Sequence, residues 1–196
     1  MNGERFQKQI DFILEIDKEK SIYRQTHISG NSRRENDAEH AWHMAIMIYL
    51  LKEYSNEKFD VARAMMMALI HDVVEIDAGD TYAYDTEGLK TQKEREERAA
   101  ERIFGLLPED QKAELWALFR EFEAYETPES KIAHSMDNFQ PLLLNDANGG
   151  GDWIDHNVTK AQILARHIKT ALGSEKIWRH SEGIINSHVE KGNIKD

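Results

Sequence analysis

Ala64-Met65-Met66-Met67-Ala68-Leu69-Ile70-His71-Asp72-Val73-Val74-Glu75-Ile76 is the most apolar segment of this chain that can form a helix, yet it carries three ionisable side chains. Asp60 stands where a helix cap belongs and Gly79 where a helix ends, so the pattern predicts one helix from Val61 to Ala78. A carboxylate without a partner is costly to bury, and buried charges are as a rule paired or bound to a metal. Neighbouring helical positions point about 100° apart, which lets His71 and Asp72 reach one ion. Glu75 follows His71 by four positions and Asp72 by three, on the same face. An imidazole and two carboxylates within one turn point to metal-dependent chemistry.

Apolar residues recur at helical spacing on both sides of this stretch. Phe6, Ile10, Ile13 and Leu14 share one face of a helix from about Glu4 to Ile16. Residues 19–35 read as a long polar connection, a kind of segment often tied to function. Asn36, with Glu39 three positions on, makes a capping-box pattern that opens a helix to about Glu53 and sets His40 in its first turn. A loop over 79–90 precedes Thr91 to Phe104, which reads as a solvated surface helix with Lys93/Glu97 and Glu94/Arg98 pairs. Pro108-Glu109-Asp110 opens a helix bearing Leu115, Trp116, Leu118 and Phe119, and Pro128 begins one that carries Asp137. Gly149-Gly150-Gly151 reads as a flexible loop before helices at about 157–171 and 174–190. It follows a helix and lacks a Lys-Ser/Thr pair, so it is not a nucleotide loop. Three prolines in 196 residues and few alternating β-branched runs complete the prediction: an all-α bundle of seven or eight helices, one domain over 1–196.

The net charge of −11 argues against affinity for nucleic-acid polymers, which requires clustered Lys and Arg. A small phosphorylated substrate remains compatible, because one cation and one or two arginines hold a phosphate inside an acidic protein. The absence of cysteine excludes disulfides and thiolate metal sites and suits a reducing compartment. Met1-Asn2-Gly3-Glu4-Arg5-Phe6 lacks a basic stretch followed by an apolar signal core. The longest apolar runs, Ala45 to Leu51 and Ala64 to Ile70, are too short to span a bilayer. A cytoplasmic protein without a membrane partner is expected.

His40 and Asp137 are candidate further ligands. The helix N-terminus at His40 favours the neutral imidazole that a metal needs, and Asp137 interrupts an apolar face after Ile132, Ala133 and Met136. Read singly, His40 is an ordinary core histidine and Asp137 a cap or salt-bridge partner. In order, Glu39-His40, His71-Asp72-x-x-Glu75, Gly79-Asp80 and Asp137 form a set that resembles the HD-domain metal-dependent phosphohydrolases, in the branch of bacterial 5′-deoxynucleotidases. Tyr23-Arg24-Gln25-Thr26, Arg34-Glu35-Asn36-x-x-Glu39-His40-x-Trp42 and Asp137-Asn138-Phe139-Gln140-Pro141 extend the similarity over roughly residues 5–190.

The resemblance implies a helical bundle with its metal site between core helices. It implies that His40, His71, Asp72 and Asp137 bind one divalent ion, with Mn²⁺, Co²⁺, Fe²⁺, Zn²⁺, Ni²⁺ and Mg²⁺ all compatible. Glu75 and Asp80 would be the catalytic acidic residues near the scissile bond, and Arg24 would contact the phosphate. The implied reaction is hydrolysis of nucleoside or deoxynucleoside 5′-monophosphates, carried out by a homodimer. The family pattern sets a tryptophan beside that arginine, whereas Gln25 and Thr26 stand here, which leaves the organic end of the substrate open. Between residues 73 and 136 only His134 could add a ligand, and it reads as structural or supporting, which favours one metal over two. Leu115, Trp116 and Phe119 read as core rather than as dimer surface. Two other readings stay open. One is an HD-type hydrolase of a nucleoside triphosphate, cyclic nucleotide or guanosine tetraphosphate. The other is a non-catalytic binding module whose metal only holds the helices together.

Overall fold

A computed structural model describes residues 2–83, 85 and 87–196; Tyr84 and Thr86, within the loop expected over 79–90, lie outside the described residues, as does Met1. Helix α1 (Asn2–Ile16) leads through a tight 3-10 turn at Asp17–Ser21 into strands β1 (Tyr23–His27) and β2 (Arg34–Asn36). The strands pair antiparallel, with Tyr23 opposite Asn36 and His27 opposite Arg34. Residues 19–35 are therefore not a structureless connection. The hairpin pairs the backbone of a polar segment whose side chains show no strand pattern, and Gly30 (φ 89°) with Asn31 (φ 57°) turns its tip.

Helix α2 (Asp37–Leu51) opens on the expected capping box, in which Asn36 Oδ1 accepts from the Glu39 N–H at 3.0 Å and Glu39 Oε2 from the Asn36 N–H at 3.3 Å. The single helix expected over 61–78 is divided. Helix α3 (Val61–Ile70), capped by Asp60, tightens into a 3-10 turn at His71–Val74 before one turn of α-helix, α4 (Glu75–Ala78). Three residues per turn separates His71 and Asp72 by roughly 120° and brings Asp72 and Glu75 into line, because positions i and i+3 eclipse. Gly79 ends the run at φ 75°, its N–H donating to the Glu75 carbonyl at 2.7 Å.

The rest is helical: α5 (Leu89–Phe104), α6 (Glu109–Ala124), α7 (Pro128–Ala147), α8 (Gly151–Asp155), α9 (Lys160–His167), α10 (Thr170–Gly173) and α11 (Glu175–Glu190). Among the described residues, eight of the eleven α-helices α1–α11 have eight residues or more, in keeping with the all-α expectation. The helix expected near 157–171 is split into α9 and α10. The glycine triplet is a fitted turn rather than a flexible loop: Gly149 and Gly150 have φ of 70° and 82°, and a Cβ on Gly150 would meet His188 Nδ1 at 2.7 Å.

Helices α2, α3 and α7 form the centre of the core. Met44 and Ile48 of α2, Ala64 and Met67 of α3, and Ile132 and Met136 of α7 are all fully buried in one apolar cluster. Phe119 belongs to that cluster and Leu115 and Trp116 pack against it. Pro141 sits inside α7 and has no N–H to offer the Asp137 carbonyl one turn before it. No described helix is long and apolar enough to cross a membrane.

Candidate metal centre and active site

The packing of α2, α3 and α7 brings His40, His71, Asp72 and Asp137 together from three separate parts of the chain. Nitrogen or oxygen atoms of His40, His71 and Asp72 all lie within 4.8 Å of one another. Asp137 Oδ1 is 3.1 Å from His40 Nε2 and 3.9 Å from His71 Nε2. Asp72 Oδ1 is 3.1 Å from His71 Nε2.

Both imidazoles are oriented from behind. His71 Nδ1 lies 2.9 Å from the Ala68 carbonyl, which can only accept, so Nδ1 is the donor and Nε2 faces the carboxylates. Behind His40 the logic is one step longer. Gln140 Nε2 donates to Glu35 Oε1 at 2.6 Å, which leaves Gln140 Oε1 to accept from His40 Nδ1 at 3.0 Å. His40 Nε2 is thereby also turned toward Asp72 and Asp137. Such hydrogen bonds to the far nitrogen are how metal-binding histidines are held. His71 Nε2 is buried and has no hydrogen-bond partner, and the donor set of two imidazoles and two carboxylates suits a divalent transition metal. The residues present therefore fit a metal ion.

Charge follows the same geometry. Burial alone would lower the pKa of His71, but the Asp72 carboxylate 3.1 Å from Nε2, aided by Asp137, raises it to about 9. For His40, burial and the Arg24 charge pull down, and the hydrogen bond with Asp137 together with the Glu35 carboxylate 3.7 Å from Nδ1 outweighs them, so its pKa is raised. The neutral imidazole expected from the helix N-terminus is thus overridden by two nearby carboxylates. Asp72 and Asp137 draw positive charge to Nε2 of both rings, and a proton and a divalent cation compete for that position. Asp72 and Asp137 resist burial and hold their charge: His71 and Arg24 depress Asp72, while His40 and Arg166 depress Asp137.

Arg24, on β1, is almost fully buried, and its Nη1 donates to Asp72 Oδ2 at 2.6 Å and to Asp37 Oδ1 at 3.2 Å. Asp37, Glu75 and Asp80 bring carboxylate oxygens within 4.8 Å of one another beside it. Burial, then the charges of Asp72 and Asp37, push the Glu75 carboxyl well above its usual range. Burial likewise raises Asp80, against the pull of Arg24, and raises Asp37 to about 7.

Residues 16–178 match the HD domain family. The chain belongs to that family. The chain is similar to a predicted metal-dependent phosphohydrolase from Magnetospirillum magnetotacticum, whose crystal structure is 43% identical over 100% of this chain and 98% of that one and superposes with a TM-score of 0.95. Human 5′-deoxynucleotidase HDDC2 is 32% identical over 111 residues, 57% of this chain and 53% of the human protein. The bovine protein of the same name is 28% identical over 73% of this chain and 69% of its own length. The matched region thus spans about half the length of the human relative.

Two cavities meet at the HD site. The first lies over the candidate ligands and is lined by His71, Asp72, Glu75, Glu123 and Asp137. The second is lined by Gln25, Thr26, Tyr82, Asn138, Asn145 and Trp153. Arg24, Asp80, Thr81 and Arg166 border both. The reading of α5 as purely solvated needs correction, because Leu89, Gln92, Lys93 and Glu96 also line the first cavity. Burial pushes Glu96 up to about 7. His134 is stacked between Phe122 and Tyr125, at 3.8 and 4.2 Å between ring centres, with Nε2 2.8 Å from the Phe122 carbonyl. Burial lowers its pKa to about 4. Sequence reasoning gave no role to Asp37, Glu35, Gln140 or Arg166. Glu35 and Gln140 stood inside the matching motifs; Arg166 had no signal, since its place depends on how α9 packs.

Proposed function

We propose that this protein is a metal-dependent HD phosphohydrolase that acts as one domain and removes phosphate from nucleoside or deoxynucleoside 5′-monophosphates. The observation that carries the reading is the convergence of His40 Nε2, His71 Nε2 and the carboxylates of Asp72 and Asp137, with Glu75 and Asp80 left free of that set beside them. A purely structural ion would not call for two extra carboxyls, Glu75 buried and Asp80 half-buried, at the mouth of a cavity. The similarity to a predicted metal-dependent phosphohydrolase and to proteins named 5′-deoxynucleotidase supports the substrate class.

In this reading His40, His71, Asp72 and Asp137 hold one divalent cation, which when bound supplies Lewis-acid stabilisation of phosphoryl charge and lowers the pKa of water. Arg24 meets the phosphate: its Nε is buried without a partner and its side chain borders both cavities. Water attacks phosphorus as the bond to the 5′-oxygen breaks. Glu75 holds a proton at its carboxyl and passes it to that leaving oxygen, and the surplus proton of the water restores the Glu75–Asp80 pair. Asp80 at the junction of the cavities orients this water or a sugar hydroxyl. The organic part of the substrate occupies the second cavity, where Gln25, Thr26, Asn138 and Asn145 offer hydrogen bonds and Trp153 an aromatic wall. The homodimer is part of the same reading, and light scattering tests it.

The test is phosphate release by metal-stripped protein supplied with Mn²⁺, Co²⁺ or Mg²⁺ and a panel of ribo- and deoxynucleoside mono- and triphosphates. Asp72→Asn serves as blank because it keeps the side-chain volume. Metal-dependent orthophosphate release from monophosphates supports the proposal. Activity confined to triphosphates or cyclic nucleotides overturns the substrate, and a protein inert toward every phosphoester overturns the enzyme.

A further inference from the structure

Arg166 lies on α9, outside every motif that marks the site, yet it borders both cavities together with Arg24. Its Nη2 is 3.6 Å from Asp137 Oδ2, too long for the 2.7–2.9 Å of a charge-assisted hydrogen bond. Among the described residues its guanidinium makes no hydrogen bond, and its side chain is 32% exposed. Arg24 is in the opposite position: buried, with Nη1 already shared between Asp72 and Asp37. The local charge is lopsided. Asp37, Asp72, Asp80 and Asp137 gather around one almost fully buried arginine, and a phosphate dianion would add to the negative side. A second cation with free donors is what such a ligand requires, and a forked guanidinium matches phosphate oxygens.

We propose that Arg166 is a second phosphate-binding residue, which reaches from α9 to the junction of the two cavities and clamps the phosphate against Arg24. The inference rests on the phosphohydrolase reading but adds a residue outside its motifs. A merely structural Arg166 would serve to hold Asp137 in place, and the two roles part on metal affinity. If Arg166 positions Asp137, its loss weakens the metal. If Arg166 binds phosphate, its loss removes a repulsive charge beside a metal ligand and leaves metal affinity unchanged or stronger.

The experiment measures two affinities by calorimetry in the full-length protein: Mn²⁺, and then inorganic phosphate in the presence of saturating Mn²⁺. Wild type, Arg166→Gln and Arg166→Lys are compared. Phosphate affinity is expected to fall about 10- to 100-fold in Arg166→Gln, the usual range for losing charge-assisted hydrogen bonds. Arg166→Lys, which keeps the charge and loses the fork, should recover part of it, and Mn²⁺ affinity should not fall in either variant. Phosphate affinity equal to wild type in Arg166→Gln, or a loss of Mn²⁺ affinity that accounts for the phosphate effect, overturns the proposal. Wild type that takes up Mn²⁺ but neither binds phosphate nor hydrolyses any phosphoester overturns the phosphohydrolase reading itself, a distinct result.

Discussion

Replacing Glu75 by glutamine removes a transferable proton while leaving the side-chain volume almost unchanged. The carboxyl is 6% exposed, its Oε2 has no hydrogen-bond partner, and burial with the charges of Asp72 and Asp37 keeps it protonated far above the usual range. A glutamine cannot pass a proton to a leaving alkoxide. Positioned acids of this kind contribute about 10²–10⁴ in rate, or about 3–5 kcal/mol of barrier. Asp80 is only half-buried and its carboxylate lies within 4.8 Å of Glu75, so a water-relayed substitute is at hand and the lower half of that range is expected. The decisive assay compares two esters under single-turnover conditions. A nucleoside 5′-monophosphate expels a basic alkoxide and should lose about 10²–10³. p-Nitrophenyl phosphate expels a stabilised phenolate that needs no proton and should lose less than about tenfold. Metal content should stay at the wild-type level, because Glu75 is outside the proposed ligand set. Equal losses on the two esters would refute the acid role, and loss of the metal in Glu75→Gln would make Glu75 a ligand instead.

Three further outcomes follow from the same contacts. Asp72→Asn should weaken Mn²⁺ binding by more than about 100-fold, since partners one step removed from a metal already cost 10–100-fold; titration calorimetry showing wild-type affinity would take Asp72 out of the ligand set. Glu19 is 6% exposed, and burial, then the charges of Asp72 and Asp37, push its pKa from 4.5 up to about 8. A folded pKa above the unfolded one means that stability is lost as pH rises through that window, so Glu19→Gln should gain about 3 kcal/mol at pH 7 and almost nothing below pH 4.5. Urea denaturation of chelator-treated protein at several pH values checks this, and parallel curves for the two proteins would contradict it. Gly173→Ala would drive a Cβ into the Lys131 carbonyl and Ser135 Oγ of α7, so a loss of about 1–3 kcal/mol or more is expected; an unshifted urea midpoint would mean that α10 is free to move off α7.

What could be read from the chain, and what could not, divides along a physical line. Hydrophobic period identifies which face of a helix is buried, and an ionisable residue on that face is conspicuous because burial is costly; that is why His71, Asp72, Glu75 and Asp137 stood out. The same period is blind to winding. Nothing in His71-Asp72-Val73-Val74 distinguishes three residues per turn from 3.6, although the tighter winding is what aligns Asp72 with Glu75. The β1–β2 hairpin escaped notice because Arg24, Gln25, Arg34 and Glu35 are polar on both faces, so no alternation marks the strands. Yet the hairpin is what carries Arg24 and Glu35 to the site. Which side chains are candidate ligands is therefore a local property of the chain, while their orientation is not. His40 presents Nε2 to Asp72 and Asp137 only because Gln140 holds Nδ1, and Gln140 is turned the right way only because Glu35 takes its amide. Glu35, His40 and Gln140 lie on β2, α2 and α7, so the tautomer of one histidine depends on three elements packing correctly. By this argument the capping box at Asn36 is also a device of the site: it fixes where β2 ends and α2 begins, and with it the separation of Glu35 from His40.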